Sequence, residues 1–251
     1  MNRWRTLPKR GNTAEENEDA IALSDGVLAI ADGATEAFFS RMWAQQLVEH
    51  LACNAAAWWE DPDATFAARV AAAETQWQTL LPLYESLPWH AQNKAFYGSA
   101  AAIAVVVFTA DRWRGIAVGD VTIFHLRGAT LVQSWPMTTP EAFTTRPPLV
   151  GTRACAPIAL RDSLWEPGDD LLVMTDALAA WALRCARAER PLWADLRALV
   201  DTDDQETDRD AWEAFVQQAR SAGMKNDDVL VVRVPYPEVD DEVTHGLPSG
   251  D

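Results

Sequence analysis

Four β-rich runs in the middle of the chain constrain the fold most strongly. They occupy residues 100–110, 113–118, 121–126 and 130–135, and connections of two or three residues join them. Parallel strands need a crossover of a dozen or more residues, whereas a hairpin needs only two. The sequence therefore predicts antiparallel pairing between successive runs.

The N-terminal part predicts a hairpin followed by two helices. Residues 20–31 are two apolar runs around Ser24-Asp25-Gly26, and Asp-Gly between apolar runs is typical of a tight hairpin turn. Apolar residues at helical spacing predict one helix over residues 36–59 and a second over residues 64–80. The Asp-Pro-Asp sequence at residues 61–63 is expected to separate them.

The C-terminal half predicts a loop, a strand, three helices and a last strand. In chain order these are residues 137–170, 171–175, 177–188, 192–200, 209–222 and 229–234. Antiparallel hairpins with helices between them indicate an α+β fold whose helices pack outside the sheets. We expect one domain over residues 1–234 and an acidic, proline-containing, disordered tail over residues 235–251.

Composition excludes several classes of protein. The 251 residues carry a formal net charge of −16, which disfavours binding to nucleic acid or to an anionic membrane. No apolar run is long enough to span a bilayer and no secretory signal is visible, so we expect a cytoplasmic protein. The three cysteines lie far apart without a CxxC pair, which argues against a disulfide framework or a zinc site.

Acidic residues stand at the ends of apolar runs in five separate places. The sequences are NEDA (17–20), ADGA (31–34), GDV (119–121), MTDAL (174–178) and NDDVLVV (226–232). Buried charge is costly unless it is paired or bound to metal, and hard divalent cations prefer oxygen ligands. Two such ions can activate a water and neutralise a transferring phosphoryl group. Any one of these sequences alone is more typical of a turn, but together they predict a metal site.

Six segments resemble, in order along the chain, the motifs of the protein phosphatase 2C type of metal-dependent protein phosphatases. They are NEDA, ADGA, YGSAAAIAVV, WRGIAVGD, LWEPGDDLLVMTDAL and NDDVLVV. The resemblance covers roughly residues 9–234. It implies a sandwich of two antiparallel β-sheets flanked by α-helices on both outer faces. It also implies a serine/threonine phosphoprotein phosphatase with two Mn²⁺ or Mg²⁺ ions, in which a bridging water or hydroxide attacks phosphorus.

The resemblance also implies a role for individual residues. Glu18 resembles a ligand to one ion, and Asp32 resembles the carboxylate that bridges both ions. The backbone carbonyl of Gly33 would add a ligand to the set. Asp176 and Asp227 resemble the ligands of the other ion.

Further roles follow from the same resemblance. Asp19 resembles the acid that orients metal-bound water, and Asp120 resembles an acid that shares a third, weaker ion with Asp176. From the sequence alone, Asp120 could instead be a turn residue and Asp176 a helix N-cap. The family's phosphate-binding arginine has no equivalent at the usual spacing. Lys9 and Arg10 lie farther upstream, and we favour Arg10 for its planar, bidentate guanidinium.

Two departures from the family pattern motivate an alternative function. Ala100 replaces the usual threonine and Ala177 the usual glycine, so a catalytically silent scaffold that binds a phosphoprotein or regulates a kinase is the alternative. Retention of all the acids favours the enzyme, because close carboxylates repel one another without metal. The chain most resembles bacterial members that oppose a serine/threonine kinase, so we expect that kinase or its substrate as partner. Residues 137–170 are the candidate flap for recognising it.

Two other sequences imitate phosphatase motifs of different classes. Residues 155–161, CAPIALR, have the Cys-x5-Arg spacing of cysteine-dependent phosphatases. That chemistry needs backbone N–H groups around the phosphate, and this loop contains a proline and no glycine. Residues 61–65, DPDAT, match the Asp-x-Asp of the haloacid-dehalogenase class. They follow a helix and contain Pro62, so a helix stop and N-cap are expected instead.

Overall fold

The computed structural model describes residues 3–24, 26–35, 37–201 and 205–237. The strands are β1 (Arg3–Leu7), β2 (Asp19–Ser24), β3 (Val27–Gly33), β4 (Ala100–Phe108), β5 (Arg112–Val118), β6 (Thr122–Arg127), β7 (Thr130–Trp135), β8 (Val150–Gly151), β9 (Ala159–Leu164), β10 (Asp169–Met174) and β11 (Val229–Pro235). The α-helices are α1 (Ser40–Leu51), α2 (Ala55–Glu60), α3 (Pro62–Leu80), α4 (Trp89–Tyr97), α5 (Asp176–Arg187), α6 (Trp193–Asp201) and α7 (Gln205–Ser221). In these ranges no helix has the length and apolar character needed to cross a bilayer.

The strands form two antiparallel sheets. The first sheet has the order β1-β11-β10-β6-β7, and the second has the order β2-β3-β4-β5-β9, with β8 paired to β4. The predicted α+β sandwich of two antiparallel β-sheets with helices on its outer faces is confirmed.

Three apolar layers hold the sandwich together. Alternate residues of a strand face opposite sides of its sheet, and β3 shows the consequence. Leu28 and Ile30 pack between the two sheets, against residues of the first sheet such as Val173. Ala29 and Ala31 face outward, where α1 and α3 cover them. A third layer lies between the first sheet and helices α5, α6 and α7.

The predicted hairpin is confirmed, and the first predicted helix is shorter than expected. β2 and β3 pair from Asp19 opposite Asp32 to Ser24 opposite Val27; Asp25 lies outside the described residues. The helix expected over residues 36–59 is broken into α1 and α2 because Asn54 adopts a left-handed conformation and caps α2.

The prediction for the DPDAT sequence is confirmed. Asp61 caps α3, and its carboxylate accepts a hydrogen bond from the N–H of Ala64 at 2.9 Å. The helix begins at Pro62, where the missing N–H costs nothing.

Several elements differ from the sequence-based expectation. β5 and β6 do not pair with each other, because the Gly119-Asp120 connection carries the chain from the second sheet to the first. Residues 137–170, expected to be a loop, contain β8 and β9. β1 and α4 were not predicted. Most of the tail expected to be disordered, residues 238–251, lies outside the described residues, while Pro235 ends β11.

Candidate metal centre

Five aspartates from separate segments meet at one end of the sandwich. Asp19 and Asp32 are direct cross-strand partners in β2 and β3. Asp120 follows β5, Asp176 begins α5 after β10, and Asp227 lies just before β11. We call these five residues the aspartate cluster. Both sheets contribute to it, so the cluster exists only when the sandwich has formed.

Thr175 ties the two halves of the cluster together. Its hydroxyl donates a hydrogen bond to Oδ2 of Asp19 at 3.1 Å and accepts one from the N–H of Leu230 at 3.0 Å. Thr175 is fully buried, so these bonds are shielded from water. The contact fixes Asp19 of the second sheet against β10 and β11 of the first.

A cavity of about 490 Å³ opens onto the aspartate cluster. Four aspartates of the cluster line it: Asp32, Asp120, Asp176 and Asp227. Arg146 lines it as well, and so contributes the positive charge of an exposed guanidinium. The cavity therefore combines acids that can hold cations with a base that can meet an anion.

Burial and mutual repulsion shift the pKa values of the cluster upward. Burial raises the pKa of Asp32 well above its usual range, and the charges of Asp19 and Asp176 raise it further. Burial, followed by the charge of Asp228, also raises the pKa of Asp19. For Asp120, burial and the charge of Asp176 raise the pKa to about 6. Close carboxylates behave in this way when no cation neutralises them.

The side chain of Lys225 contacts two carboxylates of the cluster. Its ammonium lies 2.6 Å from Oδ2 of Asp227 and 3.0 Å from Oδ2 of Asp176. Burial lowers the pKa of Lys225, but the hydrogen bonds and charges of the two aspartates outweigh that effect. Its pKa is therefore above the usual range.

Gly33 lies where the backbone segments pack too closely for a side chain. A Cβ at this position would lie 2.9 Å from the carbonyl oxygen of Glu18 and 3.2 Å from the carbonyl carbon of Ser40. The N–H of Gly33 also donates to that Glu18 oxygen at 3.2 Å. The absence of a side chain lets β3 end directly beside Glu18, next to Asp32.

The carboxylate of Glu18 lies beside the aspartate cluster rather than in it. It accepts hydrogen bonds from the hydroxyls of Thr35, at 2.6 Å, and of Ser40. Glu18 lines a neighbouring pocket of about 460 Å³ together with Lys9, whose ammonium is 3.6 Å away. Successive residues of an extended chain face opposite sides, so Asp19 faces the cluster and Glu18 does not.

The two basic residues proposed for phosphate binding point in different directions. Arg10 directs its Nε and Nη2 at Oε1 of Gln217 on α7, at 3.2 and 2.7 Å. Arg10 does not line the cavity of the cluster, and its role in phosphate binding stays a prediction. Lys9 is the nearer residue, since its ammonium is 3.5 Å from the hydroxyl of Thr35, which lines both pockets.

Sequence reasoning missed three residues of the site. Asp228 is buried and accepts hydrogen bonds from the backbone N–H groups of Lys9, at 2.7 Å, and Glu18, at 2.9 Å. It anchors the N-terminal segment beside the cluster. Asp228 belongs to the same acidic sequence as Asp227, and Lys225 directly precedes that sequence, which was the available signal. Arg146 lies in the loop region without periodicity, where nothing distinguishes it.

The structure also places Asp176, Asp120 and Cys155, for which the sequence offered alternative roles. Thr175 occupies the N-cap of α5 and Asp176 is the first helical residue, so the N-cap alternative for Asp176 is wrong. Asp120 is buried in the bend after β5 and lines the cavity, and its share in a third ion stays a prediction. Burial raises the pKa of the Cys155 thiol. The guanidinium of Arg161 donates a hydrogen bond to Oε1 of Gln133 at 2.7 Å. A raised pKa disfavours the thiolate that a cysteine nucleophile needs.

The donor set of the aspartate cluster fits a hard divalent cation. Carboxylate oxygens are the ligands that Mg²⁺ and Mn²⁺ prefer, and Oδ1 of Asp19 is buried without a hydrogen-bond partner. An ammonium, that of Lys225, already lies between two of the acids. Within the described ranges, no three acidic, histidine or cysteine side chains are grouped as ligands of one ion. Filling the centre therefore requires side chains to move.

A two-sheet sandwich with aspartates gathered at one end fits the class of divalent-metal-dependent hydrolases. The sequence profile of the protein phosphatase 2C family matches residues 11–225. The chain therefore belongs to the protein phosphatase 2C family, and it is a protein phosphatase by class. No curated protein sequence matches it significantly.

Solved structures of bacterial phosphatases have a similar fold. The catalytic domain of the serine/threonine phosphatase PstP, in complex with two manganese ions, is 18% identical with a TM-score of 0.59, over 92% of this chain and 96% of that one. PstP/Ppp of Mycobacterium tuberculosis is 17% identical with a TM-score of 0.59, over 94% and 99%. PppA, a regulatory component of T6SS in Pseudomonas aeruginosa, is 17% identical with a TM-score of 0.57, over 94% and 97%.

Proposed function

We propose that this chain hydrolyses phosphoserine and phosphothreonine esters in proteins with the help of two Mn²⁺ or Mg²⁺ ions. The observation that carries the proposal is the convergence of five aspartates from both sheets, four of which line one cavity. Two ions held there would supply an activated water and neutralise charge on the phosphoryl group. The manganese ions bound to the similar PstP domain support this choice of metal.

Each residue of the proposed centre has a task of its own. Asp32 is the proposed bridging ligand, because the charges of Asp19, Asp176, Asp120 and Asp227 all act on it. Asp176 and Asp227 would hold one ion with it. Asp120 and Asp176 would share a third, weaker ion.

Glu18, Gly33 and Asp19 would complete the centre on the β2 side. Asp19 is oriented by Thr175, and its unpartnered Oδ1 is free to hold a water or an ion. The carbonyl of Gly33 and the carboxylate of Glu18 remain proposed ligands of the second ion. Glu18 would have to leave its hydroxyl partners, Thr35 and Ser40, to reach it.

Two cations are proposed to bind the phosphate of the substrate. Arg146 lines the cavity of the cluster, and Lys9 lies next to it across Thr35. A guanidinium and an ammonium on two sides of the acids would hold the phosphate oxygens against the ions.

Hydrolysis of an aryl phosphate tests this function. We expect turnover of p-nitrophenyl phosphate with Mn²⁺, loss of turnover on chelation, and loss in Asp32→Asn. Asp195→Asn is the matched control, because Asp195 is exposed in the first turn of α6. Activity that survives chelation but is lost in Cys155→Ser would overturn the proposal. A folded protein without activity in any divalent ion would favour the silent scaffold.

The partner follows from the same proposal. We propose a phosphorylated protein as substrate, either a serine/threonine kinase or that kinase's target. The flap expected in residues 137–170 brings Arg146 and its neighbours to the cavity, which supports recognition by this segment. A screen of phosphopeptides against the free amino acid phosphates would test it, since only peptides reach beyond the cavity.

A further inference from the structure

Lys225 occupies the space in which Asp176 and Asp227 would share a metal ion. Its ammonium contacts one carboxylate oxygen of each aspartate, at 3.0 and 2.6 Å. The two aspartates are largely buried, whereas the lysine side chain is 62% exposed. A flexible, solvated side chain therefore neutralises acids that the fold holds in place.

An ammonium and a divalent ion cannot occupy this position together. A protonated lysine has only donors and no lone pair, so it cannot join the ligands of a metal. Two cations at such short distance would also repel each other strongly. Metal binding between Asp176 and Asp227 must therefore displace Lys225, and its exposed, four-carbon stem allows the side chain to swing into solvent.

We propose that Lys225 is a built-in competitor that sets the divalent-ion concentration at which this half of the centre fills. The inference rests on the proposed metal centre. Because the ammonium is tethered to the chain, it returns whenever the ion leaves, and the metal must outcompete it at every binding event. The same contact stabilises the metal-free protein by neutralising two like charges.

A purely structural ion pair would have the opposite effect on metal affinity. If Lys225 held the aspartates in the geometry that a metal needs, removing it would weaken metal binding. If it competes, removing it tightens metal binding. The sign of the change in the dissociation constant therefore separates the two roles.

Mn²⁺ binding to variants of the full chain tests the inference. Lys225→Gln removes the charge and keeps most of the length, and Lys225→Ser shortens the side chain. Lys225→Arg keeps the charge. Arg112→Ala is the matched control, since Arg112 pairs with Asp111 at the opposite end of β5 from Asp120. Calorimetry and the electron paramagnetic resonance of free Mn²⁺ measure affinity and stoichiometry without any substrate.

Of the two Mn²⁺ ions, both neutral variants should bind the less tightly held one with roughly tenfold higher affinity than the wild type. This change corresponds to the loss of two partly exposed ion pairs. Their melting temperature in chelator should fall, while Lys225→Arg should bind no more tightly than the wild type. Arg112→Ala should change neither quantity. If the wild type binds Mn²⁺ and the neutral variants bind it with equal or lower affinity, this result would overturn the role of Lys225 alone. Absence of binding in every protein would overturn the metal centre itself.

Discussion

Raising the pH should destabilise the metal-free protein, because folding buries Asp120 and holds it among other carboxylates. Its ordinary pKa of 3.8 rises to about 6 in the fold. A pKa raised by folding contributes stability that is complete below the unfolded value and is lost as the pH passes through the folded value. The full shift corresponds to about 3 kcal/mol. Between pH 5 and pH 8 the loss from this residue alone is about 1 kcal/mol by proton linkage.

The neighbours of Asp120 act in the same direction. The pKa values of Asp19 and Asp32 are also raised, so their ionisation adds to the loss. Asp120→Asn removes its part of the pH dependence, and the apo variant should be more stable than the wild type at pH 8 by up to roughly 3 kcal/mol. Asp162→Asn is the control: Arg114 lowers the pKa of Asp162, so this carboxylate stays ionised from pH 5 to pH 8.

Urea denaturation at four pH values, followed by tryptophan fluorescence in the presence of chelator, measures this effect. The twelve tryptophans of the chain provide the signal. Saturating Mn²⁺ should flatten the dependence, because a bound cation favours the ionised carboxylates. A midpoint that stays constant or rises with pH in chelator would refute the reasoning. So would an Asp120→Asn variant that keeps the wild-type slope.

Four further perturbations probe the centre and its surroundings. Mn²⁺ at a hundred times its Kd should stabilise the protein by about 2.7 kcal/mol, and thermal denaturation should show this shift disappearing in Asp32→Asn. Asp228→Ala should cost roughly 2 kcal/mol in urea denaturation, because two backbone N–H groups lose their acceptor. Arg10→Ala should leave the KM for an aryl phosphate unchanged, whereas Arg146→Ala should raise it severalfold; the reverse would relocate the phosphate site. Shortening residues 138–143, which leaves Arg146 and the other residues of this segment that line the cavity in place, should impair turnover of a phosphoprotein far more than that of an aryl phosphate, and equal losses would mean that the segment supports the metal site.

The sequence predicts those elements whose pattern is local. The hairpin of β2 and β3 and helices α3 and α5 to α7 follow from turn residues and apolar spacing. β9 does not, because five of its six residues are exposed and show no clear alternation. It forms at the edge of β5, where Arg114 and Asp162 are cross-strand partners joined by two hydrogen bonds of 2.7 and 2.8 Å. Such a partner, distant in sequence, leaves no local signal.

The connection between β5 and β6 shows a related limit. A link as short as Gly119-Asp120 excludes a parallel crossover, but it does not say which sheet receives the next strand. That choice depends on β10, the distant strand with which β6 pairs along its whole length. The positive φ of Gly119, 103°, turns the chain between the sheets, and Asp120 reaches the cavity for that reason.

At the site, the sequence locates the acids but does not orient them. Five aspartates could be identified because each stands at the end of an apolar run. Which of Glu18 and Asp19 faces the cluster depends on the phase of the strand, and Asp228 fixes that phase by binding the backbone of Glu18. The same is true of Lys9 and Arg10, whose directions are set by Asp228 and Asn226.

The raised pKa values bear directly on the choice between enzyme and silent scaffold. Carboxylates that repel one another in a buried place lower the stability of the metal-free fold. Ala177, one of the two departures from the family pattern, lies in the first turn of α5, is buried in the outer apolar layer and does not line the cavity. It therefore leaves the acids untouched. Substitutions that stabilise the apo protein while abolishing metal binding mark residues kept for function at the expense of stability. A scaffold without metal would gain stability from the same changes and lose nothing, so measuring both quantities on one set of variants separates the two hypotheses.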